Sequence, residues 1–162
     1  MQQTERPGIA ALIEACGLGG KELTAENVSF GLAPRLNAAG RMDSAAAALE
    51  LLLCEDPEEA EAIVAGLEAQ NAARQKAEQD ILQGVLDSVA ADETYGADRI
   101  LVVWGRGYHQ GVIGIVASRV VERFGKPAII VSVDENGEGK GSGRSIAGLS
   151  LYNAIAACGD PV

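Results

Sequence analysis

The chain has 162 residues, 48% apolar and 22% charged, enough for one packed domain or two small lobes. Aromatic residues make up only 4%, so the core falls to Ala, Val, Ile and Leu, and no run of ~18 apolar residues is present to span a membrane. A net charge of −10 argues against nucleic acid as a partner, but Met1 to Asp92 holds 16 acids against 6 bases while the remainder holds 7 of each.

Pro7 to Cys16 reads as a short helix, with Pro near its start and Gly17 past its end. Thr24, followed by Glu26 and Asn27, marks another helix entry. Gly31 to Arg41 has Gly, Pro and Asn at loop-like density, and Ser44 to Leu53 is a compact helix. The acidic run from Glu55 to Glu61 opens a long helix, where carboxylates favour the positive end of the dipole. Asp56 caps it and Pro57 fits its first turn. No further Pro occurs before about Asp92, so at 1.5 Å per residue it would run ~50 Å. Apolar clusters at Ile63–Leu67 and Ile81–Val89 flank a polar middle from Gln70 to Gln79, as expected of a bridge between two lobes. A single surface helix is the alternative.

Beyond Asp92 the texture changes. Ile100 to Trp104 and Ala128 to Val133 are buried-strand candidates, Val112 to Phe124 has helical spacing, and Asp134 to Gly139 is turn-rich. Lys140 to Ile146 is a third strand, and a helix begins at Leu151. Strand, helix, strand predicts an α/β lobe, incomplete as it stands. The fold class is therefore α/β, with a long bridging helix joining a mostly helical N-terminal part to that lobe. An uncovered sheet edge there would favour self-association. Cys16, Cys54 and Cys158 lie too far apart for a zinc pair or a disulfide framework. The polar stretch Met1 to Pro7 lacks a signal-peptide layout, so a reducing cytoplasm is the expected setting.

Three segments carry chemistry. Gly31 to Arg41 presents Arg35, Asn37 and Arg41, donors suited to phosphate oxygens, although the residues alone favour a helix-linking loop whose arginines pair with local acids. Gly105 to Arg119 runs from a strand through a glycine-rich loop into a helix, an arrangement that can meet an anion. It holds His109, the one histidine, fit for proton transfer or for a structural helix cap, and ends on Arg119. Gly114 and Ala117 are expected to let that helix pack closely on the sheet. Gly139 to Ser145 alternates glycines with Lys140, Ser142 and Arg144 before Ser145, and forms either a phosphate cradle or a flexible turn. The P-loop and dinucleotide signatures fail: Gly141 follows Lys140, and Gln110 stands where a third glycine is needed. No metal-binding set of acids or histidines is found.

Together these segments resemble the RecJ family of DHH-superfamily phosphoesterases. Gly31 to Met42 is similar to its G-P-R-L-N-A-A-G-R motif, His109 to Arg119 to its H-x-G-V-x-G-I-x-A-S-R motif, and Gly139 to Ile146 to its K-G-S-G-R-S motif. Ala33 departs from the family's usual glycine. The resemblance implies a 5′→3′ exonuclease of single-stranded DNA, serving repair and recombination. It implies a DHH domain holding two metal ions, Mn or Mg, joined by a long helix to a DHH-associated domain, with substrate in the cleft between them. On that plan residues 1–55 are the tail of the DHH domain, 56–92 the connecting helix and 93–162 the first part of the second domain. The Asp-His-His segment would lie upstream and a Gly-Gly-His segment downstream, so this stretch is expected to bind no metal and to be inactive alone. Ser142 and Arg144 match positions of the pocket for the 5′-terminal phosphate. Lys140 and Ser145 lie in the same motif. Asn37 and Arg41 match positions facing the DNA backbone, with Arg35 in the same motif. His109 matches a position near the scissile group, and Arg119 either touches DNA or braces its helix. Single-stranded DNA is the implied partner, with a single-strand-binding protein as a further one. The competing readings are a DHH phosphodiesterase of oligonucleotides or cyclic dinucleotides, and a non-catalytic nucleic-acid-binding module.

Overall fold

The computed structural model describes residues 4–92 and 94–159. The chain divides into two compact units, Met1–Gln75 and Lys76–Val162.

The first unit is helical. Pro7 starts α1 (Pro7–Ala15), where its missing N–H matters least. Gly17, at φ +66°, ends it. Leu18 N donates to the Ile13 carbonyl at 3.1 Å and Gly17 N to that of Glu14 at 2.8 Å, the paired bonds of a Schellman motif. The next helix opens on a reciprocal cap. Asn27 N donates to Thr24 Oγ1 at 3.2 Å, and Thr24 N donates to Asn27 Oδ1 at 3.1 Å. It passes through a π-helical segment, Asn27–Leu32, directly into α2 (Ala33–Met42).

The loop expected over Gly31 to Arg41 is thus a helix. Its glycines and proline misled because Pro34 sits in the first turn of α2, just after the wider π turn, where an absent N–H and a ring are tolerated. Leu32, Ala38 and Ala39 bury one face, and tertiary packing holds the segment helical against its propensity. Helix α3 spans Ala46–Leu53. The unit's core gathers Leu12, Leu32, Ala39, Ala48, Leu51, Ala60, Val64 and Leu67.

Helix α4 (Pro57–Ala91) is the long helix the sequence predicts. Asp56 Oδ1 accepts from Glu58 N at 2.8 Å and Glu59 N at 3.0 Å, which caps it. The division between units falls within its polar middle, at Gln75 and Lys76. That middle is not all solvated: Asn71 is 4% exposed and Glu78 5%. No helix among the described residues is long and apolar enough to cross a membrane.

After a short α5 (Thr94–Ala97), the second unit builds a three-stranded sheet in the order β1-β2-β3. Strand β1 (Leu101–Arg106) pairs in parallel with β2 (Ala128–Val133), and β2 pairs antiparallel with β3 (Gly139–Arg144). Helix α6 (Ile113–Phe124) makes the crossover a parallel pair requires. It buries Ile113, Val116, Ala117 and Val120, and stops at Gly125 with φ +63°. Leu101, Val103, Ala128 and Ile130 are buried on the sheet. Helix α7 (Leu151–Ala157) follows, capped by the Ser150 side chain. The α/β class, the long helix and the three-stranded lobe are as expected.

Candidate phosphate-binding strand

Strand β3 sorts its residues by parity. Side chains alternate faces along a strand. Lys140 stands opposite Ser132, Ser142 opposite Ile130 and Arg144 opposite Ala128, all buried positions of β2. The intervening Gly139, Gly141 and Gly143 stand opposite Val133, Val131 and Ile129. A Cβ on Gly139 would lie 3.2 Å from Val131, and one on Gly143 would lie 2.7 Å from Leu151 of α7. Glycines thus let Val131 and Leu151 close over one face, while three polar side chains share the other.

That polar face meets the start of α6. Ser142 Oγ and Arg144 Nη2 are the nearest atoms to the position a side chain on Gly114 would take. The close approach expected of Gly114 is therefore made to β3, and Ala117 is fully buried. Arg144 donates from Nη1 to the Gly143 carbonyl at 2.7 Å and to Ser142 Oγ at 3.3 Å, so the pair is already assembled. Its guanidinium is exposed and offers a charged planar donor set. Lys140 is exposed on the same strand. Ser145 is different: its hydroxyl donates to the Leu149 carbonyl at 2.7 Å and closes the 145–149 turn.

His109 lies in the loop between β1 and α6, half-buried. Its Nδ1 accepts from Gly111 N at 3.2 Å, which places the proton of the neutral ring on Nε2. Its carbonyl accepts from Val112 N at 2.9 Å and Ile113 N at 3.2 Å. The ring and backbone together shape the entry to α6, the capping role weighed for this residue. Before it, Tyr108 packs over Gly105, where a Cβ would fall 2.2 Å from its ring, and burial raises its phenol pKa. The Tyr108 carbonyl accepts from Ser132 Oγ.

Arg119 forms an ion pair through Nε with Glu78 Oε1 of α4. The Arg119 side chain is 56% exposed and that of Glu78 6%. Sequence reasoning left Glu78 within the polar middle of α4, with no partner assigned. No local pattern identifies it, because the partner comes from another helix.

In the first unit the three α2 candidates separate. Arg35 is half-buried, donates from Nη1 to the Gly31 carbonyl at 2.8 Å, and forms an ion pair through Nε with Glu68. Arg35 is thus paired with an acid, though not a local one: Glu68 belongs to α4. Asn37 and Arg41, four residues apart, share an exposed stripe of α2. Beside α1 and α4 lies a cavity of about 630 Å³, lined by Ala10, Ala11 and Val64 and by Glu5, Glu14, Glu61 and Glu68. Four acids make it a poor site for phosphate. Among the described residues no three His, Cys, Asp or Glu side chains come together to hold a metal ion.

Residues 97–161 match the DHHA1 domain family. The chain is 40% identical over 162 residues to the single-stranded-DNA-specific exonuclease RecJ of Bacillus subtilis, covering 99% of this chain and 20% of that protein. It is 39% identical over 155 residues to the RecJ exonuclease of Escherichia coli, covering 93% of this chain and 26% of that protein. A crystal structure of RecJ from Thermus thermophilus in complex with Mg2+ superposes with a TM-score of 0.80 at 36% identity, over 96% of this chain and 23% of that one. A structure of exonuclease RecJ bound to manganese gives a TM-score of 0.80 at 38% identity, over 94% of this chain and 36% of that one. The chain thus spans about a fifth to a quarter of the length of these curated relatives.

Proposed function

The chain belongs to the RecJ family over the stretch it spans, and from that premise we propose that it is the DNA-holding part of a single-stranded-DNA-specific 5′→3′ exonuclease. The observation that carries the reading is the shared face of Lys140, Ser142 and Arg144 on β3. A terminal phosphate monoester carries close to two negative charges and three acceptor oxygens. An arginine fork beside a serine hydroxyl answers that chemistry, and Lys140 adds a second positive charge. Binding the end in this way selects a 5′-terminal nucleotide. Asn37 and Arg41 supply a second contact, to the backbone of the strand. His109 sets the entry to α6, and through it the place of Gly114 opposite the pair.

Divalent metal ions accompany the solved RecJ structures. Such ions activate water and stabilise charge on the leaving oxygen. The described residues of this chain do not fit them, since no donor cluster is present. The chain's own contribution is therefore to bind and orient DNA, with hydrolysis supplied by metal-bearing residues outside this stretch.

Titration calorimetry of Arg144→Ala tests the assignment. Removing a charged hydrogen-bonding partner is expected to weaken binding of a 5′-phosphorylated oligonucleotide about tenfold. The 5′-hydroxyl oligonucleotide should bind both proteins alike. Equal affinities of wild type and variant for the phosphorylated strand would remove the pocket.

A further inference from the structure

Gly114 has no backbone reason to be glycine. It is the second residue of α6, and its φ is not positive. A Cβ there would lie 3.0 Å from Ser142 Oγ and 3.1 Å from Arg144 Nη2, with the Arg144 Cζ next at 3.8 Å. All three belong to mobile side-chain ends, which can yield. Glycine weakens a helix relative to alanine, because it gives up more backbone freedom on folding. Stability alone thus favours alanine at this position. What glycine preserves is open space beside a hydroxyl and a guanidinium.

We infer that Gly114 is a specificity-determining residue, whose missing side chain leaves room for a terminal phosphate between α6 and the Ser142–Arg144 pair. The inference rests on the phosphate reading of β3 given above. An oxygen bonded to both groups must sit ~2.7–2.9 Å from each donor. A methyl group in contact with the same two atoms competes for that volume. It presses on the donors from the α6 side and turns them away from a shared acceptor. An internal phosphodiester held elsewhere along the strand does not need this space, so the effect falls on the end group alone.

The test compares 3′-labelled oligonucleotides with a 5′-phosphate or a 5′-hydroxyl, by fluorescence anisotropy with the 162-residue chain. The wild type should prefer the phosphorylated strand about tenfold. In Gly114→Ala that ratio should fall to about one, with 5′-hydroxyl affinity unchanged and a melting temperature equal to or above wild type. If Gly114→Ala keeps the preference while Arg144→Ala loses it, the inference fails and the phosphate reading stands. If the wild type shows no preference, both fail. A lowered melting temperature for Gly114→Ala would overturn the inference by making the glycine a packing residue, and Gly114→Ser then checks whether the loss scales with side-chain size.

Discussion

Two helical glycines show how differently the same residue is used. At Gly114 the neighbours are side-chain tips; at Gly8 a Cβ would fall 1.7 Å from the Leu51 carbonyl oxygen and 2.8 Å from its carbon. Backbone cannot step aside, so α1 and α3 cross here only because position 8 is bare. Gly8→Ala must therefore push the helices apart around a core that includes Leu12 and Leu51. Overpacking of this kind is expected to destabilise by about 1–3 kcal/mol. Urea unfolding should show a lower midpoint at unchanged slope, and an unchanged midpoint would show that α1 is not seated on α3. None of this is visible from Pro7 and Gly8 as a sequence pair, which signals a helix start and nothing more. Arg35 is similar. Its partner Glu68 stands 33 residues away, so whether the arginine faces phosphate or acid depended on a packing that composition does not encode.

Among elements, those with local signals were legible: the Gly17 stop of α1, the Asp56–Pro57 start of α4, the helical spacing of α6, and the alternation of β3. The π segment and α2 were not, because their determinants conflict. Gly31, Pro34 and Gly40 oppose a helix, whereas the Thr24–Asn27 cap and buried Leu32, Ala38 and Ala39 require one, and burial prevails. The pairing of α6 with α4 through Arg119 and Glu78 was equally hidden. It makes Arg119→Ala informative. The substitution deprives a carboxylate with a 6% exposed side chain of a charged partner, for an expected loss of about 2 kcal/mol. Chemical denaturation measures that loss. The same variant distinguishes the two roles weighed for Arg119. If its exposed nitrogens also meet a DNA phosphate, the slope of log affinity against log salt becomes shallower by about 1. A stability loss with an unchanged slope would assign Arg119 to bracing alone.

At the scale of the whole chain, charge and chemistry point the same way once they are read by position. The net charge of −10 opposes DNA, yet the acids concentrate before residue 93, and five of them crowd the start of α4 where the helix dipole accommodates them. The cationic candidates of the second unit lie on a strand and a helix that carry few acids. Among the described residues no three acidic, thiol or imidazole groups converge, and the single histidine serves the turn into α6. The solved RecJ structures hold Mg2+ or manganese, and such ions can act by activating water at a fixed site. The purified chain is therefore expected to bind single-stranded DNA, with affinity falling steeply as salt rises, and to release no nucleotides from a 3′-labelled 5′-phosphorylated strand at millimolar Mn2+. A gel of that reaction over several hours is the measurement. Manganese-dependent shortening from the 5′ end would mean that this stretch assembles a metal site of its own, and the division of labour proposed here would be wrong.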